Sequence, residues 1–392
     1  MDRLTQSPTD PAFVQDPYPF YAEARARGPL HWWEAYGMPA AFDFATVDAV
    51  LRDRRFGRET PPELAEAPPA RLAPFYAIED HSMLELEPPR HTRLRKLVLR
   101  AFTTRRIVAL APEIEALCQE LIDGFPEDAF DLLPAYCEQL PVIVIARLLG
   151  VPEEMAPRLL AWSHAMVAMY QARRDRAAED AAAEAAAEFA AFLRGLVEDR
   201  RARPADDLIS RLVAAEDAGD TLSTEELIAT CVLLLNAGHE ATVHTLGNGV
   251  KAILEHAAQD ALAPGRIEAT VEEILRFDPP LHMFTRWAYE EAEVAGHRFA
   301  RGDRIALLLG AANRDPARWH APERFDPARA VRPNAAFGAG LHFCVGAPLA
   351  RLELRIGLST LFARCPELRL AAPPRYADLY HFHGLERLAV HR

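Results

Sequence analysis

The sequence predicts a mainly α-helical fold carrying a small β-rich lobe, and three observations lead there. Helical apolar periodicity runs almost unbroken from about Arg90 to Glu255. Strand-like segments gather in two places, near the N-terminus and again after Pro280. No Gly/Ser-rich linker, internal repeat or low-complexity spacer divides the 392 residues, so residues 1–392 are expected to form one domain.

Taken in order, Pro17 to Arg27 reads as a short helix, and Leu30 to Trp33 and Ala40 to Phe42 as strand pieces. Phe44 to Arg52 reads as another helix. Gly57 to Pro89 is expected to be largely loop, and loops of that length in a compact protein tend to be functional. The Ala-rich segment Arg176 to Arg201 has high intrinsic helicity. Thr224 to Glu255 is the longest helix expected, capped by Ser223 or Thr224 with two acids in its first turn. Its middle is nearly all apolar, which sends it through the core. Phe284 to Tyr289, Val294 to Phe299 and Arg304 to Leu309 read as strands, with Arg301-Gly302-Asp303 joining the last two as a hairpin.

Net charge is −13, which disfavours nucleic acid as a partner. An odd count of five cysteines without paired or metal-type spacing argues against a disulfide framework. Cys118, Cys137 and Cys231 read as small buried hydrophobes. No apolar run is long enough to span a bilayer and no leader is visible at the N-terminus, so a cytoplasmic protein without a membrane partner is expected. One stretch opposes the acidic trend: His91 to Ala111 holds Arg93, Arg95, Lys96, Arg100, Arg105 and Arg106 and no acid. Such a stripe suits an anionic partner or cofactor group.

The most informative residues are Phe337-Gly338-Ala339-Gly340-Leu341-His342-Phe343-Cys344-Val345-Gly346. They hold one cysteine in a glycine-relieved loop ahead of a helix that begins at Ala347-Pro348. A thiolate at a helix N-terminus is favoured by free amides and the positive dipole end. A flat iron cofactor with an axial thiolate needs that arrangement, with Phe337 as a lining aromatic. The stretch resembles the haem-binding signature of the cytochrome P450 superfamily, with Cys344 as the metal ligand and Gly338 and Gly346 at the constrained positions.

Three further segments fit the resemblance. Glu273 and Arg276 stand at i and i+3 ahead of Pro279-Pro280 and resemble that superfamily's Glu-x-x-Arg pair, with Arg324 expected as the third partner. Ala237-Gly238-His239-Glu240-Ala241-Thr242 resembles its oxygen-binding groove, where an acid followed by an alcohol relays protons. Here Ala241 occupies the alcohol position, and Thr242 lies one residue, about 100°, further round. The resemblance makes Glu240, Thr242 and Gly238 the catalytic candidates, with a substrate hydroxyl or ordered waters replacing the missing alcohol. His239-Glu240 and His244 also suggest a His-Glu-x-x-His zinc site, but histidines five apart diverge around a helix and are not expected to share a metal. Lastly, His91 and Arg95 lie one turn apart, and the resemblance gives them, with Arg286 and His342, the two carboxylates of a buried tetrapyrrole.

The resemblance implies haem b between the long helix and the helix after Cys344, with dioxygen as co-substrate and one oxygen atom entering a C–H bond of a small hydrophobic molecule. Electrons would come from NAD(P)H through a separate ferredoxin and ferredoxin reductase, since no fused reductase is expected. The Arg-rich segment after His91 would be the docking face of a monomeric enzyme. By the same analogy Met83, Leu234, Ala237, Ala241, Leu281, Met283, Phe284 and Phe382 line the substrate pocket. Two other readings stay open: a peroxide-driven haem-thiolate peroxygenase, and a non-enzymatic haem sensor or carrier.

Overall fold

A computed structural model describes residues 1–171, 174–217 and 219–392. The architecture is mainly helical with a β-rich lobe, as the sequence predicts. The helix Thr224–Glu255 runs through the helical body with most of its residues buried. Ser223 caps it in a reciprocal capping box with Glu226, which fixes its start where the sequence places it. Helices Gln139–Leu149, Arg176–Ala202 and Ala347–Arg364 pack around it.

The largest sheet orders its strands Arg3–Leu4, Leu30–Trp33, Met38–Ala41, Arg304–Leu308, Met283–Ala288, Phe56–Gly57. Arg304–Leu308 runs parallel to Met38–Ala41, with Ala306 opposite Ala40, and antiparallel to Met283–Ala288. One expectation is corrected here. Val294 to Phe299 is not a single strand paired through Arg301-Gly302-Asp303, but its own hairpin, Ala292–Val294 against His297–Phe299. Ala295 and Gly296 turn it, both with positive φ (48° and 76°), the backbone of a tight two-residue hairpin turn.

Aromatic side chains fill the lobe's core: Phe13, Tyr21, Trp33, Phe42 and Tyr380 pack with Met283 and Leu308. The irregular stretch from Asn313 to Ala336 links lobe to helical body, and one buried ion pair holds it. Arg276 donates to both carboxylate oxygens of Glu273, at 2.7 Å each, and to the carbonyls of Asn313, Pro322 and Arg324. Glu273 also accepts from the Asp326 amide at 2.8 Å and from Nε of Arg329 at 3.3 Å. Arg324, expected as the third partner, is corrected to Arg329: the Arg324 side chain is exposed and only its carbonyl joins the network. Asn313 completes the clasp, accepting from the Ala335 amide at 2.7 Å. Cys118, Cys137 and Cys231 are fully buried, and burial pushes their thiols up, to about 11 for Cys118 and about 12 for Cys231. No helix among the described residues is long and apolar enough to cross a membrane.

Candidate functional site

Cys344 ends a loop that the amide of Cys344 closes by donating to the carbonyl of Phe337 at 3.0 Å. Gly340 is required there: its φ is +67° and a Cβ would run into the backbone of Leu51. Burial pushes the Cys344 thiol up, against the amides of Gly346 and Ala347 and the charges of Arg95 and Arg351, which all favour thiolate. Arg95 donates to the Phe343 carbonyl at 2.7 Å, and Arg351 lies 4.6 Å over the ring of Phe337.

Beside this loop, positive and imidazole groups converge from four segments. His91, on the helix Arg90–Ala101, sits 4.4 Å ring to ring from His342. His91 is buried with Nδ1 unpartnered, and burial, then the neighbouring His342 and Arg95, lower it to about 4. Arg286, on the strand Met283–Ala288, is buried, and the sole hydrogen bond of its guanidinium among the described residues goes to the Thr285 carbonyl at 2.8 Å. Burial and then the charge of Arg58 bring Arg286 down to about 9. Arg58 carries an unpartnered buried Nε, and both Arg58 and Arg286 lie over Phe284, at 5.8 and 5.7 Å. His342 is held by Glu87 at 2.8 Å. Buried cations and imidazoles with orphaned donors fit a group bearing carboxylates, and a cysteine framed by amides fits an iron. The residues present therefore suit haem: Cys344 to ligate it, His91, Arg95, Arg286 and His342 to meet its carboxylates. Sequence reasoning missed Arg58, which lies in a loop with no periodicity to place it, and Glu87, which stood inside a motif already read.

On the long helix, Ala237 is exposed and Gly238, Ala241 and His244 are half-buried, while their neighbours on other faces are buried. Residues 237, 241 and 244 share one helical face, so that face is open along two turns. Packing does not demand glycine at 238, where a Cβ would meet Ile145 at an ordinary 3.6 Å. Thr242 is buried, and its hydroxyl donates back to the Gly238 carbonyl at 3.1 Å, off the open face. Glu240 lies among three imidazoles: Nε2 of His164 at 3.3 Å, of His239 at 3.5 Å and of His244 at 3.4 Å. Burial pushes its carboxyl up, but the facing imidazoles of His239 and His244 outweigh that and hold it well below the usual range. His239 and His244 diverge around the helix as expected, yet both reach back to the same carboxylate. His164, from the helix Ala156–Val167, left no signal in sequence because it comes from another element.

The proposed pocket residues separate. Leu234, Ala237 and Ala241 lie on the long helix, Met83 is buried in the helical core, and Leu281 bridges Phe382, whose ring is 6.1 Å from His244. Met283 departs from the expectation: it packs into the lobe's aromatic core. Phe284, on the opposite strand face, lies 3.2 Å from where a Gly338 Cβ would be, below the two guanidinium groups.

A family model described as Cytochrome P450 matches residues 267–367. Cytochrome P450 monooxygenase PikC of Streptomyces venezuelae is 39% identical, covering 92% of this chain and 87% of that protein. Polyketide biosynthesis cytochrome P450 PksS of Bacillus subtilis (strain 168) is 36% identical, covering 100% and 99%. Among solved structures, P450BioI in complex with a hexadec-9Z-enoic acid-ligated acyl carrier protein superposes with a TM-score of 0.91 at 34% identity, covering 97% and 99%. Likeness of this extent reaches well beyond the cysteine loop to the whole helical body and lobe, and the chain belongs to the cytochrome P450 superfamily as a bacterial-type monooxygenase.

Proposed function

We propose that residues 1–392 act as one catalytic domain that inserts an oxygen atom from dioxygen into a small hydrophobic molecule, with electrons from a separate ferredoxin and its NAD(P)H-linked reductase in the cytoplasm. Haem b, bound through the Cys344 thiolate, supplies the reductive activation of dioxygen. The observation that carries the reading is the open face of Ala237 and Ala241 on an otherwise buried helix, with the ionised Glu240 beside it. An apolar groove edged by one charged group suits a hydrophobic substrate and a guided proton. Glu240 passes protons inward, drawing them from His164, whose side chain is 54% exposed and reaches solvent. Thr242 keeps its hydroxyl on the Gly238 carbonyl, so a substrate hydroxyl or ordered water serves where Ala241 offers none.

PksS is named for polyketide biosynthesis and P450BioI is seen with an acyl-carrier-bound fatty acid. Those names favour a polyketide-like or fatty-acyl, largely aliphatic substrate here. Phe343, next to the cysteine, and Leu99 and Val108, within the basic segment, are exposed apolar residues, and this face receives the ferredoxin. Of the basic stripe, Arg93 is already paired with Asp220 and Glu226 and contributes little to docking.

The test is reconstitution with ferredoxin, reductase and NADPH against a library chosen by low-to-high-spin shifts. Product formed per NADPH should survive Thr242→Ala and rise with Ala241→Thr for substrates lacking a hydroxyl. A severe loss with Thr242→Ala alone would make Thr242 the relay. Reduction should slow as ionic strength rises. Turnover by hydrogen peroxide alone at the reconstituted rate would instead favour a peroxygenase.

A further inference from the structure

The carboxylate of Glu240 and the imidazoles around it present an electrostatic puzzle. Nδ1 of His239 lies 3.1 Å from the carbonyl of Leu235, which can only accept, so Nδ1 carries the proton. Nε2 of His239 lies 3.5 Å from Oε1 of Glu240, and a metal ion that displaces any proton there would meet a lone pair on it. That nitrogen is fully buried and has no hydrogen-bond partner. Nε2 of His164 faces the same oxygen at 3.3 Å. The three ligand atoms lie within 4.8 Å of one another.

We propose that His164, His239 and Glu240 form a binding site for a borderline divalent transition ion, Zn2+ in the first place. A tetrahedral ion with bonds of about 2.0–2.1 Å separates its ligands by about 3.3–3.4 Å, close to the nitrogen–oxygen spacings found. An imidazole whose other nitrogen donates to a backbone carbonyl is the usual form of a metal-ligating histidine. His244 lies 3.4 Å from the second oxygen of Glu240 and steadies the carboxylate from behind. Gly384 permits that placement, because a Cβ there would run into the His244 ring. The half-exposed His164 gives the ion its entry, and water fills the fourth position. Two imidazoles and one carboxylate favour Zn2+ or Cu2+ over Mg2+ or Ca2+. A second cluster, Asp278 with His282 and His383, is buried throughout and closed by Tyr18 and Tyr376, which donate to Asp278.

A bound ion would pin Glu240, so zinc should act as a reversible brake on turnover. That consequence rests on the proposed role of Glu240 in proton delivery; the binding site itself does not.

The experiment uses the haem-loaded enzyme, freed of adventitious metal by chelation and dialysed against buffered Zn2+. Elemental analysis should find one zinc per haem iron in the wild type and a loss of that equivalent in His164→Ala, whose substitution at a half-exposed position leaves the core untouched. Zinc-edge anomalous scattering from wild-type crystals should place the ion on Nε2 of His164 and Nε2 of His239, a readout that needs no variant. Absence of stoichiometric zinc, equal zinc in His164→Ala, or an anomalous peak only at Asp278 or on the surface would overturn the site. Zinc seated on His164 and His239 with turnover unchanged would establish the site while refuting the proton role of Glu240. Mg2+ at the same concentration should neither bind nor slow product formation.

Discussion

The absence of a side chain on Gly384 is what lets the imidazole of His244 approach Glu240, since a Cβ there would occupy the position of the ring. Gly384→Ala should therefore overpack this corner at a cost of about 1–3 kcal/mol. Thermal unfolding of the haem-loaded enzyme measures it. A melting temperature equal to that of the wild type would mean His244 has room to move aside.

The clasp behind the haem site predicts a contrast between two arginines close in sequence. Arg329 reaches Glu273 with its side chain, whereas Arg324 offers only its carbonyl. Arg324→Ala should change stability by no more than about 0.5 kcal/mol, as for an ordinary surface position. Arg329→Ala should destabilise clearly more, and Glu273→Ala, which leaves Arg276 buried and unpaired, by about 3–5 kcal/mol. Denaturant titration of the three variants decides it; equal losses for the two arginine variants would refute the assignment.

Arg286 gives opposite signs in two states of the protein. Without haem it is a buried cation whose environment lowers its affinity for its own proton. Arg286→Leu should leave the haem-free protein as stable as the wild type or more so, because an uncompensated buried charge is removed. The same variant should release haem several-fold faster to an apomyoglobin acceptor, having lost a partner for a carboxylate. Unchanged haem release would take Arg286 out of the cofactor site.

His282 is fully buried, and burial followed by the neighbouring His383 lowers it to about 4. An unfolded imidazole titrates near about 6.5. Between those values the unfolded chain takes up a proton that the native protein refuses, so stability should fall as pH drops from about 6.5 to 4 and show no contribution from this residue above that window. His282→Gln, which retains a polar group for Tyr21, should flatten that part of the profile. Parallel melting curves from pH 7 to 4 test this, and identical slopes would refute it.

What could be read from sequence followed from how local each signal is. The long helix was legible to the residue because its cap, first-turn acids and apolar middle lie in one continuous run. The Glu273–Arg276 pair was legible because both ends share a helix, while its third member sits in irregular chain where Arg324 and Arg329 look alike until the backbone is placed. The Ala292–Phe299 hairpin was hidden by Ala295, a residue seldom found at positive φ. Family analogy puts Met283 and Phe284 in one pocket, yet strand alternation sends them to opposite faces. His164 and Arg58 were invisible for the same reason: their partners are far away in the chain.

The small sheet that joins Phe130–Asp131 to Ala389–His391 and then to Arg369–Leu370 has a temporal implication. Phe130–Asp131 and Arg369–Leu370 both pair with Ala389–His391, and Gln15 exchanges two hydrogen bonds with the backbone of Tyr376, so the seam joins stretches hundreds of positions apart. Pairings that distant close only once the chain between them is ordered, which places this seam among the late steps of folding.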